Sequence, residues 1–384
     1  MTRSAINRLR AAKPDAAAVD RFVARFTARH EVPIVEGERC TFLWRGEADA
    51  VHLVQRIVGL PDRIPLRRLP DTDLWYAVLE LPEGSRINYQ FDVRHGDHVE
   101  CTNDPLNPKV SYSPVGSSSV CFAHGYRTPE WTFPDPDARP GELTDLVVRS
   151  RALRRDCPVT VYLPARFRRT ASYPLLVVYD GGDFLQYAAA KTVLDNLIHR
   201  LDVAEVVVAF VSPGDRLVEY ANSAVYARFV TRELVPRLEA ELPLIGSRAG
   251  RCLLGSSFGA VAALSAAYRA PDVYGNLVLM SGSFVFTDIA GADHGGGPVF
   301  DPVVRFVNRY RERPRRVADR MFVSCGMYEP LITPNRSMVP VFESAGMAVR
   351  FLETRDGHCW ENWRDSLREA LSWVYPGPQK LVYE

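Results

Sequence analysis

From residue 143 to residue 384 one pattern recurs: a short run that is apolar on both faces, then a stretch with helical spacing. The runs are YPLLVVYD, VAEVVVAFVSP, AGRCLLGSS, GNLVLMSGS, RMFVSCG and MAVRFLET, preceded by the strand-like CPVTVYLP. Helical spacing occupies Ala188–His199, Ala221–Leu242, Phe258–Ala270, Asn335–Ser344 and Trp360–Val374. A strand that is apolar on both faces needs a helix layer over each face, and helical crossovers between parallel strands supply those layers. Residues 143–384 are therefore expected to form one α/β domain around a mostly parallel sheet.

The preceding residues follow a different rule. From 32 to 122 the runs TFLWR, VHLVQRI, LWYAVLEL, INYQFDVR and SSVCF have a period of two and are punctuated by Gly, Pro and Asp. Short strands at such spacing predict a β-sandwich. Residues 1–31 read as a helical lead-in, with Val19, Phe22, Val23 and Phe26 on one stripe. That segment has no continuous apolar core of the kind a secretory signal carries, and Asp15, Asp20 and Glu31 argue against an organellar presequence. Residues 123–142 hold Pro129, Pro134, Pro136, Pro140 and Gly141 and read as a linker, with Trp131 and Phe133 expected to lie against a surface.

Charge and cysteines narrow the function classes. Lys+Arg number 47 against 46 for Asp+Glu, so no basic excess points to nucleic acid. No apolar run approaches the ~18 residues that a membrane span needs. The 7 cysteines are dispersed, with no CxxC pair, which predicts reduced thiols in a cytoplasmic protein and neither a disulfide framework nor a zinc site. No HExxH or HxxxH occurs, and no metal or other cofactor is expected.

The sharpest local feature is Gly255-Ser256-Ser257-Phe258-Gly259, between the strand-like Arg251–Leu254 and the helix-like AVAALSAAYR. GxSxG alone is a weak pattern. Between a strand and a helix it describes a nucleophile elbow, the turn that exposes a serine above the sheet of an α/β-hydrolase. Ser257 occupies the central position, whereas Ser256 falls outside the G-x-S-x-G frame. The Phe258 N–H then opens the helix and can meet developing negative charge.

A serine nucleophile needs a base. Of 8 histidines only His294 and His358 follow Ser257. His358 sits in Asp356-Gly357-His358-Cys359-Trp360, after the run Met347–Glu353 and before a helix, where an imidazole can reach the C-terminal edge of the sheet. His294 precedes three glycines in a long loop and is the poorer candidate. The acid that orients the imidazole is expected between serine and histidine in the chain. Glu329 follows the run Met321–Cys325 and the turn Gly326-Met327-Tyr328. Asp288 and Asp293 lie in the glycine-rich insertion, and Asp356 is too near His358 in sequence to bond it well. A second oxyanion donor is expected from the backbone of Gly182 or Asp183, in Asp180-Gly181-Gly182-Asp183-Phe184. Arg216, Tyr220 and Trp360 are candidate substrate contacts. Seven arginines between Arg305 and Arg320 read as a solvated helix face, with a basic pocket wall as the alternative.

These residues together resemble the enterochelin (ferric enterobactin) esterase family of esterase-D-like α/β-hydrolases. The resemblance runs through TFLWRGEADAVHL, LPDTDLWYAVLELPEGSRINYQFDV, NDPLNPK, YDGGDF, RLVEYANSAVYARFVTRELVPRLE, LLGSSFGAVAAL, GMYE, PNRSM and GHCWENW. It implies an α/β-hydrolase preceded by an immunoglobulin-like early-set β-sandwich. It also implies Ser257 as nucleophile, His358 as base, Glu329 as acid, and Arg216 in the substrate cleft. The implied substrate is a small-molecule ester, a catecholate siderophore of the trilactone type. A hydrolase of feruloyl, acetyl or other small acyl esters is the first rival, and a non-catalytic glycan- or ligand-binding protein on the same scaffold the second. Ala260 departs from the pattern, standing where many members have a second glycine.

Overall fold

Ten short strands between Ile34 and Phe122 pair into two antiparallel sheets in the computed structural model, which describes residues 4–287 and 297–378. One sheet runs Ile34–Glu36, Arg39–Arg45, Leu74–Glu80, Arg67–Arg68. The other runs Arg63–Pro65, Ala50–Val54, Arg86–His95, Gly116–Phe122, Val110–Ser113, with His98–Thr102 also paired to Arg86–His95. The alternation read from sequence sets which face turns inward. Phe42, Leu53, Tyr89 and Phe91 fill the space between the sheets, Phe42 edge-on to Tyr89 at 4.8 Å. Each such ring contributes roughly 1.5–3 kcal/mol by leaving water. Helices Ala5–Ala11 and Ala16–Thr27 lead in, the second capped by Asp15, whose Oδ1 accepts from Ala18 N–H at 2.8 Å. Val19 and Val23 of the expected stripe pack with Leu43, Leu74 and Tyr76.

NDPLNPK is a structural knot of this sandwich. Tyr89 Oη donates to Asp104 Oδ2 at 2.6 Å and accepts from Asn107 Nδ2 at 3.0 Å, and Leu106 N–H reaches Asp104 Oδ1 at 2.8 Å. Burial pushes the Asp104 carboxyl up to about 6, against the pull of those donors.

The second sheet system has eight strands, in the order Glu142–Ser150, Arg155–Leu163, Val207–Val211, Leu175–Tyr179, Arg251–Ser256, Asn276–Met280, Arg320–Gly326, Ala348–Thr354. Arg155–Leu163 pairs antiparallel with both its neighbours, and every other pairing in this sheet is parallel. Val207–Val211, Leu175–Tyr179 and Asn276–Met280 are buried at every residue, as the sequence pattern requires. Helices line both faces: Phe258–Arg269 packs in one apolar cluster, while Ala190–His199 and Leu367–Val374 pack in the other. Pro129–Thr132 and its neighbours are tied down by Asn196, whose Nδ2 donates to the carbonyls of Trp131 and Phe133 at 2.9 and 2.7 Å.

By internal contacts the chain forms two units, and the division is not a simple cut. The first comprises Met1–Thr128 together with Met327–Glu329 and Arg355–Cys359; the remainder forms the second. Among the described residues no helix is long and apolar enough to cross a membrane.

Candidate active site

In the second unit the strand Arg251–Ser256 ends at Ser257, which has φ 56° and ψ −121°, and the helix Phe258–Arg269 begins at the next residue. A serine at positive φ is strained by about 1–3 kcal/mol, and such strain persists only where the surroundings enforce it. Here they do. Ser257 N–H donates to the Met280 carbonyl at 2.9 Å, and Ser283 N–H donates to the Ser257 carbonyl at 3.2 Å. Gly255 permits the turn to close, since a Cβ there would lie 2.2 Å from the Gly259 carbonyl oxygen. Ser257 Oγ is 3.2 Å from Ser283 Oγ and partly exposed. Ser256 is fully buried and its Oγ has no hydrogen-bond partner, so of the adjacent serines only Ser257 presents its hydroxyl.

Beside this strand, Leu175–Tyr179 passes through Asp180, at φ 52°, into the short helix Gly181–Tyr187. Gly181 is required there, because a Cβ would meet Phe210 at 2.5 Å. The first N–H groups of a helix have no helical acceptor. Phe184 N–H returns to the Asp180 carbonyl at 3.0 Å, and Gly182 N–H reaches toward Ser212 Oγ at 3.4 Å. The Asp183 carboxyl is raised by burial, with the Asp180 charge adding to the effect.

Arg216 forms a two-point ion pair with Asp180, Nε to Oδ1 at 2.9 Å and Nη2 to Oδ2 at 2.8 Å. Burial works against its charge, but the bond to Asp180 outweighs this and holds the guanidinium above its ordinary value. Its side chain remains 36% exposed, and its carbon lies 5.9 Å from the Phe258 ring centre.

Two expected substrate contacts are buried. Tyr220 is wholly buried, edge-on to Tyr179 and Tyr226, and its hydroxyl accepts from Asp180 N–H at 3.0 Å. It supports the Asp180 turn from below. Trp360 is also buried, edge-on to Phe184 at 5.2 Å and to Trp363 at 4.7 Å, so it packs in the core and offers no stacking face. Three side chains of the arginine-rich stretch are engaged locally. Arg311 lies 3.9 Å over the Phe286 ring, Arg315 lies 3.8 Å over Tyr268, and Arg316 pairs with Asp319. Asp288, Asp293 and His294 lie outside the described residues.

In the first unit, His358 Nδ1 is 2.5 Å from Glu329 Oε2. Glu329 is 1% exposed, which makes the contact one between a buried carboxylate and a partly exposed imidazole. Asp356 Oδ1 accepts from Gly357 N–H at 2.7 Å and from Arg86 Nη1 at 3.2 Å. In the chain, Glu329 stands three residues beyond the strand ending at Gly326, and His358 four beyond the strand ending at Thr354. Ser283 beside Ser257, Ser212 beside Gly182 and Arg86 beside Asp356 were not singled out from the sequence.

A family model described as "Putative esterase" matches residues 150–374, and one described as "Enterochelin esterase, N-terminal" matches 39–131. The chain belongs to the esterase family and is a carboxylic ester hydrolase. The iron(III) enterobactin esterase of Dickeya dadantii is 26% identical to this esterase, over 91% of this chain and 92% of that protein. The ferric enterobactin esterase of Salmonella typhimurium shares its fold with a TM-score of 0.73 at 19% identity, covering 88% of this chain and 93% of that one. A ferulic acid esterase of Anaeromyces mucronatus superposes at a TM-score of 0.52 with 14% identity, over 63% of this chain and 94% of its own. The recognised pattern thus extends through both parts of the esterase: an enterochelin esterase-like chain, with an α/β-hydrolase fold behind an antiparallel β-rich region.

Proposed function

We propose that this esterase opens the trilactone ester bonds of an enterobactin-type catecholate siderophore, in the cytoplasm, with Ser257 as nucleophile, His358 as base and Glu329 as acid. The observation that carries the reading is the 2.5 Å contact between His358 Nδ1 and buried Glu329, in a chain whose Ser257 sits on a strained elbow. A carboxylate at Nδ1 fixes the tautomer that receives a proton at Nε2 and stabilises the imidazolium that results.

The steps follow from the chemistry of the groups. His358 Nε2 takes the proton of Ser257 Oγ as the oxygen attacks the ester carbonyl. The tetrahedral oxyanion accepts from Phe258 N–H and from the N–H of Gly182 or Asp183. Collapse breaks the ester bond, and His358 returns the proton to the departing alkoxide oxygen. Water then attacks the acyl-serine by the same route and frees the acid. Arg216, partly exposed beside Phe258, is a cation that can meet a catecholate. Iron enters as part of the substrate.

Two features favour the siderophore over feruloyl or other small acyl esters. The ferulic acid esterase superposes on 63% of the chain, whereas the match to the enterochelin esterase N-terminal model accounts for residues 39–131 as well. The seven cysteines are dispersed with no CxxC pair, a spacing that suits a reducing compartment. The test is product analysis by liquid chromatography–mass spectrometry. Wild type and Ser257→Ala are each incubated with ferric and iron-free enterobactin, with p-nitrophenyl butyrate as control. Linear trimer, dimer and monomer from wild type alone support the assignment. Turnover of the control ester with enterobactin untouched sinks the siderophore reading and keeps the serine chemistry.

A further inference from the structure

We propose that Arg86, at the start of the sandwich strand Arg86–His95, is a positioning residue for the Glu329–His358 pair. On this view the sandwich sets the geometry of the acid and the base. The inference rests on the assignment of Glu329 and His358 above and adds a residue to it.

Arg86 is 2% exposed, and a buried guanidinium is retained only where hydrogen bonds and an opposite charge compensate its lost hydration. Its partners lie on both sides of His358. Nη1 donates to Asp356 Oδ1 and Oδ2 at 3.2 and 3.4 Å and to Cys359 Sγ at 3.0 Å. The Arg86 backbone N–H donates to the Arg355 carbonyl at 2.9 Å. Asp356 Oδ1 also accepts from Gly357 N–H at 2.7 Å and from the Cys359 thiol at 3.4 Å. One ion pair therefore fixes the backbone from 355 to 359, a segment that includes a glycine and would otherwise sample many conformations.

The same cluster reaches the acid. Tyr328 N–H donates to the Asp356 carbonyl at 3.1 Å, which joins the residue before Glu329 to the loop of His358. The Tyr328 carbonyl accepts from Val58 N–H at 2.8 Å, and its hydroxyl is 2.5 Å from Ser85 Oγ, next to Arg86 in sequence. Arg355 adds a bond to the Glu83 carbonyl. Both loops are thus held by residues 58 and 83–86, all far earlier in the chain. A misplacement of ~1 Å at a reacting group can cost ~10²-fold in rate, so a tether on the backbone around a general base acts on turnover more than on binding.

The test uses the full chain and p-nitrophenyl butyrate. Arg86→Met/Asp356→Asn removes both charges together, which avoids stranding a buried carboxylate, and Arg86→Lys keeps a cation with one point of contact. The expected result for the double variant is a fall in kcat of ~10²-fold with KM within about 2-fold. Arg86→Lys recovers part of it. In a Glu329→Gln background the same pair of changes should cost under about 3-fold, because the interaction through which it acts is already gone. An unchanged kcat overturns the proposal, as does an equal loss with and without Glu329. Ser257→Ala and His358→Ala keep the two failures apart. If either is fully active, the triad reading itself is wrong; if both are dead while the Arg86 variants turn over normally, only the positioning role fails.

Discussion

Arg216 and Asp180 meet through two parallel hydrogen bonds, 2.9 and 2.8 Å, at the turn that leads into Gly181–Tyr187. An arginine read from sequence as a substrate contact is thus also the brace of a left-handed residue beside the proposed oxyanion donors. Arg216→Ala leaves Asp180, 2% exposed, without its counter-charge. The expected cost is about 2 kcal/mol, below the 3–5 kcal/mol of a wholly buried pair because Arg216 is partly hydrated. Urea unfolding measures it. If bracing matters, kcat on uncharged p-nitrophenyl butyrate falls too; a loss confined to the catecholate substrate would leave Arg216 as a substrate contact alone.

Glu329→Gln preserves shape and removes the charge that stabilises the His358 imidazolium. A fall of about 10³–10⁴ in kcat is expected, with KM little changed, since the interaction gains strength in the transition state. Steady-state kinetics at neutral pH checks this. Retention of more than a tenth of wild-type kcat would exclude Glu329 as the orienting acid.

Asp104 gives a pH dependence of stability with a definite sign. Burial raises its folded value to about 6, above the 3.8 of an exposed carboxyl, so the folded state binds the proton more tightly than the unfolded chain. Its contribution to stability is fully present below about 4 and is lost as pH rises through about 6. The most it can amount to is about 3 kcal/mol, from some two units at 1.36 kcal/mol each. Urea midpoints of wild type and Asp104→Asn between pH 4 and 8 isolate the effect: the difference between the two should change from about pH 4 to a little above 6 and be flat from there to 8.

Gly255→Ala places a methyl group 2.2 Å from the Gly259 carbonyl oxygen, an approach that only a backbone shift relieves. A loss of about 3 kcal/mol is expected, with slower labelling of Ser257 by a fluorophosphonate, because the shift moves the elbow itself. Thermal unfolding and labelling rate measure the two parts separately. Wild-type behaviour in both would mean that the helix approaches the strand less closely.

The sheet was legible where burial left a continuous apolar run, as in Leu175–Tyr179 and Val207–Val211. Glu142–Ser150 was not, because this edge strand has only two buried residues and so leaves no apolar pattern. The short Arg63–Pro65 and Arg67–Arg68 escaped for the same reason. The stretch read as one helix from Ala221 to Leu242 contains a π turn at Val230–Leu234, just before Pro236, which lacks an N–H and crowds the preceding turn. The elbow was readable because strand, turn and helix are contiguous. Arg86 was not, since its partner lies 270 residues away and nothing near it in sequence marks it as buried. The burial of Tyr220 and Trp360 was not legible, because an aromatic residue's type does not reveal whether its faces are covered.

The reach of Arg86 to Asp356 bears on how such a chain can be recombined. Residues 355–359 lie late in the sequence yet group with Met1–Thr128. A graft that replaced the sandwich at the linker would therefore remove the anchor of a loop it had not touched. An arginine at the matching strand position, and a hydroxyl before it, would have to travel with any donor sandwich. The two halves exchange as a matched pair or not at all.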